Sequence, residues 1–116
     1  MSRQKMYDTN KRVRDYLLQV DACTDVWMKS HTRRHDKTWT FSSFYLSKDL
    51  FNLFDGIALT NRKIILFQAK TTNFPVTEPL NLFANRFQGV TVAAYVARKI
   101  KGRIQVLKRV YPHVHE

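Results

Sequence analysis

Residues Asp55–Lys70 have the sequence Asp-Gly-Ile-Ala-Leu-Thr-Asn-Arg-Lys-Ile-Ile-Leu-Phe-Gln-Ala-Lys, in which two apolar runs flank a short polar break. Apolar runs on either side of such a break are typical of two strands joined as a β-hairpin. A turn at Asn61 and Arg62 places Asp55 directly opposite Gln68 on the second strand. The stretch therefore predicts an antiparallel hairpin, and the rest of the fold is predicted outward from it.

Three polar side chains are predicted to gather at the open end of this hairpin. Opposed residues of an antiparallel pair share a face of the sheet, and so do residues two apart on one strand. Asp55, Gln68 and Lys70 are therefore expected on one face. The alternative is that they are ordinary strand-end residues with no shared role.

The composition predicts one globular domain, residues 1–116, with a nucleic acid as partner. The chain is 44% hydrophobic, with three Gly and three Pro, which is typical of a folded domain. Its net charge of +11 exceeds the charge of about 2 to 8 that solubility requires of a small domain. A polyanionic partner explains this excess, and DNA or RNA is the commonest one.

The single cysteine, Cys23, excludes a disulfide within one chain and excludes cysteine-based zinc motifs. No apolar run is long enough to span a bilayer, and the first residues lack the apolar core of a signal peptide. These features predict an intracellular, cytoplasmic protein without a membrane partner.

Hydrophobic periodicity predicts a helix, a strand, the hairpin, a second helix and a second hairpin, in the order αβββαββ. The first helix is expected to begin near Asn10, with Thr9 or Asn10 as its cap. The fold class is α/β, with a mixed central sheet flanked by helices. The predicted bounds are 10–20 and 78–87 for the helices, 55–70 for the first hairpin with its two strands, and 24–28, 90–97 and 103–110 for the other strands.

A basic stretch without apolar periodicity lies between the first strand and the hairpin, and it is predicted to contact nucleic-acid phosphates. The aromatic residues of segment 39–54 are expected either in the core or at an interface with a second subunit. The predicted phosphate-binding residues are Lys29, Arg33, Arg34 and Lys37.

The polar trio has the chemistry of a phosphodiester hydrolase. Magnesium prefers hard oxygen ligands, which Asp55 and the amide oxygen of Gln68 supply. A cation such as Lys70 offsets charge in the transition state and assists the attacking water. The set is one carboxylate short, and Asp15 is the acid that borders the apolar face of a predicted helix. If that helix packs over the strand ends, Asp15 completes the metal site.

Asp55-Gly-Ile-Ala, followed by Phe67-Gln68-Ala69-Lys70-Thr71-Thr72, resembles the core of the PD-(D/E)XK nuclease superfamily. The αβββαβ order agrees, and the resemblance extends from about Lys11 to Val96. It is nearest to archaeal-type Holliday junction resolvases and to the Mrr-like endonucleases. The resemblance implies a restriction-endonuclease-like fold that binds Mg²⁺, with Mn²⁺ as a substitute.

The resemblance also implies roles for individual residues. Asp55 and Gln68 take the positions of the metal-binding pair, Lys70 that of the lysine that assists water, and Asp15 that of an acid on the first helix. Gln68 departs from the usual acid, although the Mrr-like branch is similar in using Gln-x-Lys. Asn52-Leu53-Phe54 before Asp55 also lacks the usual proline.

The expected function is a structure-selective, metal-dependent DNA endonuclease that acts as a homodimer, with branched DNA among its substrates. The alternative is a catalytically inactive nucleic-acid-binding module on the same fold, because Gln68 reduces the negative charge that holds a metal. Charge alone leaves an RNA-binding protein as a third candidate.

Overall fold

Over the residues that the structure describes, the fold is a five-stranded mixed sheet with one helix packed on each face. A computed structural model describes residues 3–29, 50–51 and 53–113. The elements are α1 (Arg3–Gln19), β1 (Asp25–Met28), β2 (Gly56–Leu59), β3 (Ile64–Lys70), α2 (Thr77–Arg86), β4 (Thr91–Ile100) and β5 (Arg103–Tyr111). The predicted order of elements is confirmed, and the described residues form a single α/β domain.

The strands lie in the order in which they occur along the chain, β1-β2-β3-β4-β5. Strands β3 and β4 are parallel, since α2 carries the chain back between them, whereas the other neighbours among the described strands are antiparallel. The central strands are buried on both faces, which explains the continuous apolar run in β3.

Alternating residues of β3 divide the core between the two faces. Ile65 and Phe67 pack with Val13 and Leu17 of α1, on the face that we call the α1 face. Leu66 packs with the buried residues of α2 on the opposite face, the α2 face. Successive strand residues point to opposite faces, so Gln68 and Lys70 belong to the α2 face with Leu66.

The first helix is longer than its apolar periodicity predicts. It begins at Arg3, so the prediction of a cap at Thr9 or Asn10 is wrong. The apolar pattern starts only at Val13, but the preceding segment has no Gly or Pro to stop a helix. Thr9 lies inside α1, 4% exposed. The polar first turns of α1 are therefore part of the fold.

Neither helix in the described ranges combines the length and the apolarity that a bilayer-spanning segment needs.

Candidate functional site

The main chain of Asp55 is fixed from both sides. Its N–H donates to the carbonyl oxygen of Phe67 at 2.8 Å, and its carbonyl oxygen accepts the N–H of Lys29 at 2.8 Å. Gly56 follows at once and begins β2. Asp55 is therefore held between β1 and β3, at the sheet end where β3 finishes.

Within the described ranges the carboxylate of Asp55 has two partners. Its Oδ2 accepts the main-chain N–H of Ala69 at 2.7 Å, and its Oδ1 lies 3.4 Å from Nζ of Lys29. The side chains of Asp55 and Lys29 are only 13% and 16% exposed, respectively, so this ion pair is largely shielded from water. The hydrogen bond across to β3 and the ion pair to β1 hold the carboxylate in one orientation.

The predicted register of the hairpin is confirmed over β2, from Leu59 opposite Ile64 to Gly56 opposite Phe67. The regular ladder ends there, because the N–H of Asp55 bonds to Phe67 and not one residue further along β3. The main chain of Asp55 thus contacts Phe67, and its carboxylate contacts Ala69. Asp55 therefore lies alongside Gln68, the residue between these two.

The amide group of Gln68 is held at one end and open at the other. Its Nε2 donates to the carbonyl oxygen of Leu53 at 2.7 Å. Its Oε1 is buried and has no hydrogen-bond partner among the residues that the structure describes. Buried oxygens are rarely left unpaired, so this one needs an explanation. Its position alongside Asp55 makes it a candidate oxygen ligand for a cation.

Lys70 ends β3 and is exposed, on the same face as Gln68. Its neighbour in the parallel ladder is Val96 of β4. The ammonium group therefore belongs to the sheet end that carries Asp55 and Gln68, where it can reach a ligand in solvent.

Asp15 lies elsewhere on the molecule. It is exposed on α1 and lines a cleft with Asp8, Lys11 and Arg12, which neither Asp55 nor Gln68 lines. The α1 contact to the strand ends is made at Thr9, whose Oγ1 lies 3.1 Å from Oγ1 of Thr71. Asp15 is six residues further along, about 9 Å of helix rise away from that contact.

Asn10, predicted as a possible helix cap, lies within α1. Its Oδ1 is buried and, like Oε1 of Gln68, has no hydrogen-bond partner in the described part of the chain. The spacing of Asn10, Val13 and Leu17 is the signal that could have found it, because it puts an amide on the buried side of α1. Asn10 follows Thr9, so it lies near the segment after Lys70.

The predicted phosphate-binding residues divide into two groups. Lys29 is described, and it pairs with Asp55. Arg33, Arg34 and Lys37 lie outside the described residues, as does most of the aromatic segment 39–54. Within that segment Phe54 is fully buried in the core of the α2 face, whereas Phe51 is 70% exposed.

The donors at this sheet end fit a hard divalent cation that keeps most of its water. They are the carboxylate of Asp55 and the unpaired amide oxygen of Gln68, both oxygens of the kind that magnesium prefers. No cluster of three or more His, Cys, Asp or Glu side chains suited to a metal occurs in the described ranges. A cation here would therefore have one charged protein ligand, which predicts weak binding.

Comparisons with protein-family models, with curated proteins and with solved structures gave no match for this chain.

Proposed function

We propose that this protein is a metal-dependent DNA endonuclease with a restriction-endonuclease-like fold. The observation that carries the proposal is the buried Oε1 of Gln68, which has no hydrogen-bond partner in the described part of the chain and belongs to the residue alongside the fixed Asp55. Lys70 on the same face and the net charge of +11 support it further, because the reaction needs a cation near the phosphate and a polyanionic substrate.

Asp55 and Gln68 are the residues that would hold Mg²⁺ or Mn²⁺. The ion, when bound, supplies Lewis acidity at a phosphate oxygen and lowers the pKa of water. The Ala69 N–H keeps the Asp55 carboxylate oriented, and the bond to Leu53 keeps the Gln68 amide turned with its oxygen free. Lys70 orients the attacking water and offsets negative charge on the phosphate.

The test is nicking of linear duplexes and four-way junctions by wild type and by Lys70→Ala, in Mg²⁺ and in Mn²⁺. Lys63→Ala is the matched control, because Lys63 is also an exposed lysine but lies at the opposite end of the hairpin. The proposal expects cleavage by wild type and Lys63→Ala, and loss of about 10²-fold or more in Lys70→Ala. Equal cleavage by all three proteins contradicts the role of Lys70, and faster cleavage of the junction supports structure selectivity.

The inactive DNA-binding module is the second candidate, and the ion pair favours it. Oδ1 of Asp55 already has Lys29 as a cationic partner, and Gln68 adds no negative charge to attract a metal. DNA binding that weakens with salt, without nicking in either metal, would establish this alternative and exclude the nuclease.

We also propose that the protein acts as a homodimer. Phe51 and Phe87 are exposed apolar side chains, and Phe83 connects them, with ring centroids 5.9 Å from Phe51 and 4.6 Å from Phe87. Contiguous exposed apolar groups are typical of interfaces. Sedimentation equilibrium of wild type and Phe87→Glu tests this, since a dimer through this patch dissociates in the variant.

A further inference from the structure

The hairpin of β4 and β5 extends beyond the rest of the sheet. The parallel ladder of β3 ends at Lys70 opposite Val96, but the antiparallel ladder of β4 and β5 continues to Ile100 opposite Arg103. The part of the hairpin past Val96, residues 97–106, is called the arm below. At about 3.3 Å per residue, the arm reaches about 13 Å past the end of β3.

The arm is strongly basic. Its charged residues are all cations, all exposed, and none forms an ion pair within the described part of the chain: Arg98, Lys99, Lys101 and Arg103. At the base of the arm Ala97 is buried and Val106 packs against the core of the α1 face, whereas most of the other residues of the arm are exposed. Unpaired cations of one sign on a protruding element favour a polyanion as the occupant.

The arm begins at the candidate functional site. Neighbouring residues in the β3–β4 ladder share a face, as Leu66 and Val92 show by packing in one cluster. Lys70 and its neighbour Val96 therefore share the α2 face, and the next residues of β4 on that face are Arg98 and Ile100.

Arg103 lies opposite Ile100 and so belongs to the same face as Lys70 and Arg98. Nη1 of Arg98 also donates to the carbonyl oxygen of Thr72 at 3.2 Å, which ties the base of the arm to the segment after Lys70. Lys70, Arg98 and Arg103 thus form a row of cations that leads from the candidate site to the tip of the arm.

We propose that this arm binds the sugar-phosphate backbone of duplex DNA on one side of the cleavage position. The row of cations is about 13 Å long, which matches the rise of about four base pairs at 3.4 Å each. DNA carries a negative charge at every step along this length, so the cations of the row meet successive phosphates. The inference rests on the proposed function for its choice of DNA, but the arm binds whether or not the site cleaves.

The test measures duplex binding as a function of salt, in chelator so that no cleavage occurs. The arm variant Lys101→Gln/Arg103→Gln is compared with Lys63→Gln/Arg62→Gln. Both pairs are one lysine and one arginine at an exposed hairpin turn, at opposite ends of the sheet. Thermal unfolding of both proteins confirms that the exposed substitutions leave the fold intact.

If Arg103 of the row and Lys101 beside it in the turn each contact one phosphate, the slope of log K against log salt should become shallower by about 1.8 in the arm variant only. Adding Arg98→Gln should make this slope shallower by a further amount of about 0.9, which corresponds to one phosphate contact. Equal slopes for the arm and control variants overturn the proposal that the arm binds DNA, even if wild type cleaves DNA. Binding to single-stranded RNA but not to the duplex overturns DNA as the occupant.

If only the arm variant shows the shallower salt dependence and wild type does not cleave DNA, the arm binds DNA but the protein is not a nuclease. The failure of one proposal is therefore distinguishable from the failure of the other.

Discussion

Lys29 and Asp55 are joined through both their main chains and their side chains. The N–H of Lys29 donates to the Asp55 carbonyl oxygen at 2.8 Å, and Nζ of Lys29 lies 3.4 Å from Oδ1 of Asp55. The other carboxylate oxygen accepts the N–H of Ala69. A cation at this carboxylate would therefore have to compete with the ammonium group of Lys29.

Replacing Lys29 with Met should strengthen Mn²⁺ binding about fivefold, because it removes a competing cation from a pair worth about 1 kcal/mol. Titration calorimetry of wild type and Lys29→Met measures the change. Lys63→Met serves as the control, since it removes an equal charge at the far end of the hairpin. Unchanged or weaker Mn²⁺ binding in Lys29→Met contradicts a metal at Asp55.

The substitution Gln68→Glu should couple stability to metal. A carboxylate cannot donate to the Leu53 carbonyl oxygen, so in chelator the variant loses about 1 to 3 kcal/mol of unfolding free energy. Mn²⁺ should restore stability in Gln68→Glu more than it raises the stability of wild type, since a bound ligand stabilises the folded state. Urea unfolding with and without Mn²⁺ measures both effects.

Gln68→Met is the matched variant for this test, because it loses the same hydrogen bond without gaining a charge. It should show the loss in chelator but no response to Mn²⁺. A metal response in Gln68→Met equal to that of Gln68→Glu would place the ion elsewhere.

Gly56 is a second position where the site depends on close packing. A Cβ there would lie 2.6 Å from Cζ of Phe67 and closer still to the main-chain oxygen of Trp27. Gly56→Ala should therefore cost about 1 to 3 kcal/mol of stability and displace the adjacent Asp55. Gly89→Ala is the control, with nothing within 4 Å of its Cβ, and should have little effect. Equal stability of the two variants in urea unfolding would show that β1 and β3 move apart enough to accommodate the added methyl group.

The hydroxyl of Tyr95 gives the fold a dependence on alkaline pH. Tyr95 is fully buried, and it donates to Oδ2 of Asp21 at 2.7 Å, whose Oδ1 lies 3.1 Å from Nζ of Lys108. Burial first, and then the hydrogen bond to Asp21, raise the pKa of Tyr95 well above its usual value. The folded protein thus keeps the phenol neutral, whereas the unfolded chain ionises near pH 10.

The contribution of Tyr95 to the free energy of unfolding is therefore complete below about pH 10 and is lost as the pH rises further. Tyr95→Phe should cost about 1 to 3 kcal/mol at neutral pH, and its gap to wild type should narrow above about pH 10. Urea unfolding over this pH range measures the gap, with Tyr16→Phe in the neighbouring ring as the control. If the difference in unfolding free energy between wild type and Tyr95→Phe stays constant with pH, the buried phenol is not the source of the pH dependence.

The hairpin shows how far local sequence determines structure. The polar break at Asn61 and Arg62 fixes the turn, and the turn fixes the register of every pair in β2 and β3. The position of Asp55 beyond the ladder does not follow from this rule. Its N–H bonds to Phe67 and its carboxylate to Ala69, because the end of β1 holds the chain from the other side.

The expected fourth member of the site shows the opposite case. The prediction of Asp15 rests on the small number of acidic residues in the chain, and that number carries no information about the distance between Asp15 and Asp55. The contact between Thr9 and Thr71 depends on where α1 crosses the sheet, and it places the polar first turns of the helix near Lys70. Periodicity in α1 identifies the buried side of the helix, not its position along the strands.

By itself, the sequence determined the order of the elements, the hairpin register and the placing of Gln68 and Lys70 on one face, since these follow from local period and turn chemistry. Only the tertiary structure decided that Lys29 pairs with Asp55, that Oε1 of Gln68 is buried without a described partner, and that the basic arm continues the row from Lys70. These relationships join residues far apart in the chain, and they depend on how helices and strands pack, which no local pattern encodes.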